Sequence, residues 1–182
     1  MPHINLPQEV PGIRSLVMYR PETGKYLYEL VQLLLRGESP LSAADRELIA
    51  AYVSYLNNCE FCYQSHAAAA RCLYGEQKEL VDEVLQDFAT APVSPKLKAL
   101  LVIAGKVQKL GKEVQPEDIE TARAAGAGDR DIHDTVLIAA TFCMFNRYVD
   151  GLGTTTPEYV SDYIAMGERI STIGYVLPNQ SK

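Results

Sequence analysis

Two cysteines and a histidine at helical spacing are the residues of this sequence whose types and positions could do chemistry. The stretch Cys59-Glu60-Phe61-Cys62 is followed, four residues after its second cysteine, by His66. If the stretch is helical, Cys62 and His66 lie one turn apart on one face, with Cys59 one further turn back on a similar face. An imidazole can accept the proton of a neighbouring thiol, and the thiolate is the nucleophilic form of cysteine. The spacing therefore indicates thiol chemistry assisted by a base.

A glutamate on the preceding predicted helix could complete an acid/base relay. Glu47 lies twelve residues before the first cysteine of the motif, Cys59. The break at Asn57-Asn58 is short, so we expect the two helices that it separates to be antiparallel neighbours. A carboxylate near the start of a helix also helps to cap the helix and to offset its dipole. Glu47 therefore has both a structural and a catalytic interpretation.

The same side chains could instead bind zinc. Cys59, Cys62 and His66 are acceptable ligands, and Glu47 or Cys72 could supply a fourth. A structural zinc site usually takes its ligands as two closely spaced pairs, and the sequence contains no second C-x-x-C, C-x-x-H or H-x-x-x-H. A chain with this apolar content also does not need a metal to fold. We therefore favour a redox dithiol, and we expect neither a bound metal nor a cofactor.

Length, composition and charge restrict the class of protein. The chain has 182 residues, of which 47% are apolar and 22% are charged, and this predicts one globular domain over 1–182. The net charge of −6 argues against nucleic acid or an anionic membrane surface as a partner. Met1 is not followed by a secretory signal, and no apolar run approaches the roughly 20 residues of a membrane span. We expect a soluble, cytoplasmic protein.

The four cysteines of such a chain are better explained as redox or buried residues than as a structural disulfide framework. Cys72 and Cys143 have alanines and other apolar residues as sequence neighbours, so we expect both in the core. The sequon Asn179-Gln180-Ser181 has no secretory signal to accompany it, and we expect it to remain unmodified.

The elements that must position these residues are predicted to be helices. Apolar residues recur at spacings of three and four along the chain, and strand-like alternation is nearly absent, so the fold class should be all-α. We expect a core over about 41–153, an N-terminal arm over 1–20 that is extended in its first half, and a C-terminal helix and tail over 156–182. The predicted helices span about 21–37, 42–57, 59–73, 76–88, 94–110, 116–125, 129–149 and 156–170.

A faint internal repeat appears when Asp45 is aligned with Asp129, an offset of 84 residues. Cys59 then aligns with Cys143, whereas the second copy lacks the C-x-x-C and the histidine. Few identities support the alignment, so chance is the alternative. If the repeat is real, only the first half of the chain is equipped for dithiol chemistry.

The complete motif resembles that of a known family. Glu47, then eleven residues, then Cys59-x-x-Cys62, then x-x-x-His66 is similar to the pattern of the AhpD-like alkylhydroperoxidases in the carboxymuconolactone decarboxylase superfamily. The resemblance is greatest to the peroxidase-related members of that superfamily. It covers roughly 41–153 and includes the closing segment 145–153.

The resemblance implies an all-α bundle of paired helical hairpins that assembles as a homo-oligomer and acts as an antioxidant peroxidase. In that family the second cysteine attacks the peroxide, which implies that Cys62 becomes a sulfenic acid and that Cys59 condenses with it to a disulfide. His66 would deprotonate Cys62, with Glu47 relaying protons. A thiol or dithiol reductant would then restore the enzyme. Better-studied members have a histidine where this chain has Phe61, so a shorter proton relay is implied.

Two other functions stay open. The superfamily name points to decarboxylation of a lactone acid, although that chemistry does not require a C-x-x-C. The Cys/His cluster could also belong to a non-enzymatic zinc or redox-sensing module. Independently of function, the exposed apolar faces expected of an all-helical chain permit a homo-oligomer with closed symmetry.

Overall fold

A computed structural model describes residues 1–7 and 9–177, and the regular structure in this part of the chain is entirely helical. The predicted all-α fold is therefore confirmed. The nine α-helices of the described part are α1 (Ile13–Tyr19), α2 (Pro21–Arg36), α3 (Ala43–Leu56), α4 (Glu60–Tyr74), α5 (Glu79–Asp87), α6 (Pro95–Lys109), α7 (Pro116–Ala124), α8 (Asp129–Gly151) and α9 (Val160–Ile173). The sequon at Asn179 lies outside the described residues.

Helices α3 and α4, which carry the glutamate and the dithiol, form a tight hairpin. The Ser42 hydroxyl accepts a 3.0 Å hydrogen bond from the backbone N of Asp45 and so caps α3. After α3, Asn58 adopts the left-handed conformation with φ of 57°, which asparagine tolerates better than most residues. The backbone N of Cys59 donates to the Ser54 carbonyl at 3.0 Å, which closes the turn. The two helices then pack against each other more extensively than any other described pair.

Helix α9 packs across α4 through small residues. Gly167 lies so close to α4 that an added Cβ would stand 2.6 Å from the backbone carbonyl carbon of Ala68. The alanines at 67–70 are buried, and their small side chains permit this approach. The chain that follows α9 is thereby brought back over the α3–α4 hairpin.

Two apolar clusters fill the interior. The larger one joins the inner faces of α3, α6 and α8, and its fully buried residues include Leu48, Ile49, Val53, Leu100, Leu101, Ile103 and Ile138. The smaller one contains the dithiol, and its buried residues are Leu6, Leu16, Cys59, Phe61, Cys62, Ala68, Val149 and Tyr163. The cysteines of the motif therefore lie inside the protein. Within the described residues, no helix combines the length and the apolar character that crossing a membrane requires.

Three helices differ from the sequence prediction: α1 is additional, α5 begins at Glu79 rather than near 76, and the bounds of α9 lie further along the chain. Helix α1 lies in the second half of the predicted arm over 1–20, for which no helix was predicted; seven residues are too few to show a helical period. Helix α9 begins at Val160 rather than near 156. Pro157 therefore precedes the helix instead of occupying its first turn, since the chain stays non-helical until Tyr159.

The prediction of a core position was wrong for Cys72, whereas Cys143 packs against the core without being fully buried. Cys72 is exposed and Cys143 is half-buried. The last turn of α4, from Arg71 to Tyr74, extends beyond the packed interior, so its residues are exposed or half-buried despite the apolar sequence around them. Cys143 lies at the edge of the larger cluster, with its Sγ 3.6 Å from Nδ2 of Asn57.

Candidate active site

Glu47 lies at the centre of a buried polar network. It is located about one turn into α3, and its side chain is 0% exposed. Its Oε2 lies 2.6 Å from Nδ1 of His66 on α4. Its Oε1 accepts hydrogen bonds from Nη2 of Arg36 at 2.6 Å and from the hydroxyl of Tyr175 at 2.7 Å. Helices α2 and α4 and the segment after α9 thus each direct a side chain to one carboxylate on α3.

The partners of Glu47 stabilise its ionised form. Burial alone would raise the pKa of Glu47, but the positive charge that His66 carries when it is protonated, and the hydrogen bond between the two residues, act in the opposite direction. With the further contributions of Arg36 and Tyr175, the pKa of Glu47 lies below its ordinary value. Burial, followed by the neighbouring carboxylate, raises the pKa of Tyr175 well above its ordinary value. Tyr175 is therefore a neutral hydrogen-bond donor to an anionic Glu47.

The hydrogen bond to Glu47 fixes the tautomer of His66. A carboxylate can only accept, so Nδ1 of the imidazole must donate, and Nε2 of the neutral ring is left with the lone pair. The ring is held between Phe142, with centroids 4.5 Å apart in an edge-to-face contact, and Tyr175, with centroids 6.0 Å apart and planes inclined by 19°. Among the described residues, Nε2 of His66 has no hydrogen-bond partner. His66 is therefore oriented to accept a proton at Nε2.

Cys59 and Cys62 are free thiols, and both are buried. Cys59 is the N-cap residue of α4 and Cys62 lies in its first turn, where the helix dipole favours negative charge. The pKa of Cys59 is raised, first by its hydrogen bond with Cys62, then by burial and by the charge of Cys62, with a smaller contribution from Asp150. Cys59 therefore keeps its proton at neutral pH.

A cavity of about 60 Å³ lies against Cys62 and His66. Apolar and aromatic side chains form much of its wall, among them Ile13, Val31, Phe61, Phe142, Phe145 and Met166. Cys62 and His66 face this space, whereas Glu47 contacts His66 from the protein interior. A ligand in the cavity would therefore meet the sulfur of Cys62 and the ring of His66 before any other predicted site residue.

The structure brings together all four residues singled out in the sequence, but two further members of the network were missed. Arg36 lies in the last turn of α2, where a basic residue is already explained by the helix dipole. Tyr175 lies 128 residues from Glu47 in a segment without helical periodicity. A buried glutamate requires a cationic partner, but the sequence does not show that Glu47 is buried and so gave no signal for Arg36.

Phe61 forms part of the apolar wall beside the reactive cysteine. Its ring lies against Gly12, where an added Cβ would stand 2.1 Å from Phe61 Cε1. Gly12 also has φ of 59°, a conformation that favours glycine. Phe61 thus makes an apolar contact at the position where better-studied AhpD-like proteins have a histidine. The polar network lies on the other side of His66 and extends to Tyr175.

The described residues contain no group of three or more His, Cys, Asp or Glu side chains arranged to hold a metal ion. Of the donors considered for zinc, Glu47 and His66 are paired with each other through Oε2 and Nδ1. Cys72, the other possible ligand, is exposed in the last turn of α4.

Solved structures share this arrangement of helices. A peroxidase-related protein from Ralstonia eutropha JMP134, described as an alkylhydroperoxidase AhpD core, has a TM-score of 0.77 and 27% identity over 87% of this chain and 81% of its own. A peroxidase-related protein from Silicibacter sp. TM1040 has a TM-score of 0.77 and 28% identity over the same shares, 87% and 81%. These two structures and the helix order define the class as an AhpD-like helical fold.

A third structure and a family model agree with this class. The structure is a protein of unknown function from Agrobacterium tumefaciens, named as a candidate antioxidant defence protein AhpD, and at 20% identity its TM-score of 0.71 over 87% of this chain and 100% of its own shows the fold alone. Residues 21–106 match the model of the carboxymuconolactone decarboxylase family. Among curated proteins, none matches the chain. The chain therefore has an AhpD-like helical fold, and its residues 21–106 are similar to the carboxymuconolactone decarboxylase family.

Proposed function

We propose that the protein is a thiol peroxidase that reduces hydrogen peroxide or organic hydroperoxides. The observation that carries this proposal is the shared position of Cys62 and His66 at one cavity, with Glu47 bonded to the far side of the imidazole. Activated-thiol chemistry needs three parts: a nucleophilic sulfur, a base beside it, and a carboxylate that orients the base.

In the first step His66 removes the thiol proton of Cys62 at Nε2, and Glu47 stabilises the resulting imidazolium. The sulfur attacks the terminal oxygen of the hydroperoxide, so an S–O bond forms and the O–O bond breaks. The leaving alkoxide, or hydroxide from hydrogen peroxide, takes the proton back from His66. The products are an alcohol or water and the sulfenic acid of Cys62, which has lost two electrons.

In the second step Cys59 resolves the sulfenic acid. Its sulfur attacks the sulfur of Cys62, an S–S bond forms, and the hydroxyl group leaves as water with the proton of Cys59. The raised pKa of Cys59 suits this order, because the thiol remains protonated until its partner has reacted. A thiol or dithiol reductant then supplies two electrons and two protons to restore both cysteines.

The cavity is compatible with a peroxide group. Its volume of about 60 Å³ is several times the roughly 10–15 Å³ of such space that one water molecule requires. The space beside Cys62 can therefore hold an –O–OH group. The apolar wall also limits the water that competes for the two catalytic side chains.

Substitution of single cysteines tests the proposal. Cys62→Ser should abolish peroxide consumption in the presence of a dithiol such as dithiothreitol. Cys59→Ser should still react with one equivalent of peroxide and should leave a sulfenic acid on Cys62 that dimedone traps. Cys72→Ser, which removes an exposed thiol, is the matched control and should turn over like the unmodified protein. Undiminished turnover by Cys62→Ser would contradict the proposal.

A second candidate is decarboxylation of a lactone acid, and the match of 21–106 to the carboxymuconolactone decarboxylase model favours it. That reaction needs no redox change at Cys59 or Cys62. Release of carbon dioxide from a lactone acid by a variant with serine at both positions would establish it. Absence of release by the unmodified protein would reject it.

We also propose that the protein forms a homo-oligomer. Helix α9 and the residue before it leave large apolar side chains in solvent, including Tyr159 at 68%, Val160 at 72% and Ile164 at 51% exposure. A second copy covering this face would bury them with closed symmetry. Light scattering coupled to size-exclusion chromatography checks this, and a strictly monomeric mass at micromolar concentration would contradict it.

A further inference from the structure

Two arginines line the cavity at the point where it meets a larger surface groove. Arg14 on α1 and Arg169 on α9 belong to the wall of the inner cavity that holds Cys62. The same two arginines, with Met166, also line an outer groove of about 640 Å³. A ligand that extends from Cys62 into this groove would therefore lie beside both arginines.

Neither guanidinium group is neutralised by a neighbouring acid. Among the described residues, no carboxylate lies within 4.0 Å of Arg14 or Arg169, whereas Arg36 is paired with Glu47 at 2.6 Å. Nε of Arg14 is buried and has no hydrogen-bond partner in the described part of the chain. Nη2 of Arg169 donates to the Val176 carbonyl at 3.2 Å. Both groups therefore keep donors that a ligand could use.

The two positive charges act on the same part of the wall. Burial raises the pKa of Tyr28, a residue of the inner cavity, and the charges of Arg14 and Arg169 both oppose this rise. The two charges are therefore both near one hydroxyl group. Partly buried cations without a counter-charge are costly, and an anionic ligand placed between them would compensate both.

Three acidic residues restrict the kind of anion. Glu9, Glu158 and Asp162 line the outer groove but not the inner cavity. They would repel a second negative charge on the part of a ligand that extends outward. The arrangement favours one negative charge, located where the cavity and the groove meet.

We propose that Arg14 and Arg169 bind the carboxylate of the substrate, which is a short organic hydroperoxide with a single carboxylate group. The inference rests on the proposed peroxidase function, because it requires the peroxide group to lie against Cys62. A guanidinium group donates two parallel hydrogen bonds to a carboxylate, a geometry that lysine does not reproduce. Arg14, Arg169 and Cys62 line the same cavity, so the chain that joins the peroxide group to the carboxylate must be short.

A matched pair of substrates tests this inference. A tertiary alkyl hydroperoxide that carries a short carboxylate is compared with its methyl ester, which has the same peroxide group and no charge. We expect kcat/KM for the acid to exceed that for the ester by about tenfold or more, the effect of one charge-assisted pair of hydrogen bonds. In a variant with both Arg14→Gln and Arg169→Gln the ratio should fall to near one, and the single variant Arg14→Lys should lie between.

Arg123→Gln is the control, since it removes an exposed arginine on α7 that pairs with Asp129. It should leave the ratio unchanged. Equal kcat/KM for acid and ester in the unmodified protein, or a ratio unaffected by the double substitution in a folded variant, would overturn the inference.

Calorimetric binding of the corresponding hydroxy acid and hydroxy ester separates this inference from the peroxidase proposal. These compounds contain no peroxide bond, so their binding does not depend on turnover. Tighter binding of the hydroxy acid, lost in the double variant, supports the anion site even if no peroxide is reduced. Equal binding of the two compounds overturns the anion site even if peroxides are reduced.

Discussion

Replacement of Tyr175 by phenylalanine isolates the hydrogen bond that the C-terminal segment makes to the buried carboxylate. The change keeps the ring that stacks on His66 at 6.0 Å and removes only the hydroxyl, which donates to Glu47 at 2.7 Å. Glu47 is 0% exposed, so no water replaces the lost donor without reorganisation. A hydrogen bond to a buried charged group contributes about 1.5–3 kcal/mol, and we expect the free energy of unfolding to fall by this amount at neutral pH.

The pH dependence of the loss identifies Glu47 as the partner. The pKa of Glu47 in the folded protein is below its ordinary value of 4.5, so its ionised form contributes stability that is fully present above pH 4.5. That contribution disappears as the pH falls through the lower folded value. The difference in unfolding free energy between the unmodified protein and Tyr175→Phe should therefore be largest at neutral pH and should shrink in acid.

Urea unfolding followed by circular dichroism over a pH series measures this difference. Tyr28→Phe is the matched control, because Tyr28 lines the same cavity and makes no hydrogen bond to Glu47. Its unfolding free energy should stay within about 0.5 kcal/mol of the unmodified value. A loss for Tyr175→Phe below about 0.5 kcal/mol at neutral pH, or a loss of equal size at every pH, would refute the reasoning.

Three further outcomes follow from the same contacts. Glu47→Gln should destabilise the fold by about 3–5 kcal/mol in urea unfolding, because it leaves the guanidinium of Arg36 partly buried without its counter-charge. Gly167→Ala should cost about 1–3 kcal/mol in the same assay, since its Cβ would stand 2.6 Å from the backbone of Ala68. Iodoacetamide should alkylate Cys59 far more slowly than the exposed Cys72 at neutral pH, because the hydrogen bond with Cys62 and then burial raise the pKa of Cys59. Peptide mass spectrometry measures the two rates.

Each of these outcomes has a matched control. Glu120→Gln alters an exposed acid and should leave stability unchanged. Gly151→Ala places a Cβ in open space and should not destabilise the protein. Unfolding in urea should bring the alkylation rate of Cys59 to that of Cys72. A stable Glu47→Gln, a stable Gly167→Ala, or equal alkylation rates in the folded protein would each contradict the corresponding contact.

Local sequence signals were sufficient to place most helices and the dithiol. Ser42 caps α3 and Gly75 follows α4, so the hairpin with the C-x-x-C could be predicted from capping residues and apolar spacing. The closeness of Glu47 and His66 could also be predicted, because only a short break separates their helices. The exposure of Cys72 could not be predicted, since the sequence does not show where packing against α4 ends.

The rest of the site depends on contacts between distant parts of the chain. Tyr175 reaches Glu47 only because α9 crosses α4 at Gly167, and neither residue shows this crossing in its own sequence neighbourhood. Arg169 lines the cavity for the same reason. Periodicity describes which face of a helix is apolar, but it does not describe which other helix covers that face.

Mass spectrometry of the thiols before and after one equivalent of peroxide tests the central claim most directly. The account predicts that reduced protein has both Cys59 and Cys62 free, and that peroxide treatment converts them to one intramolecular disulfide while Cys72 and Cys143 stay unmodified. Peroxide left unconsumed, or oxidation confined to Cys72 and Cys143, would contradict it.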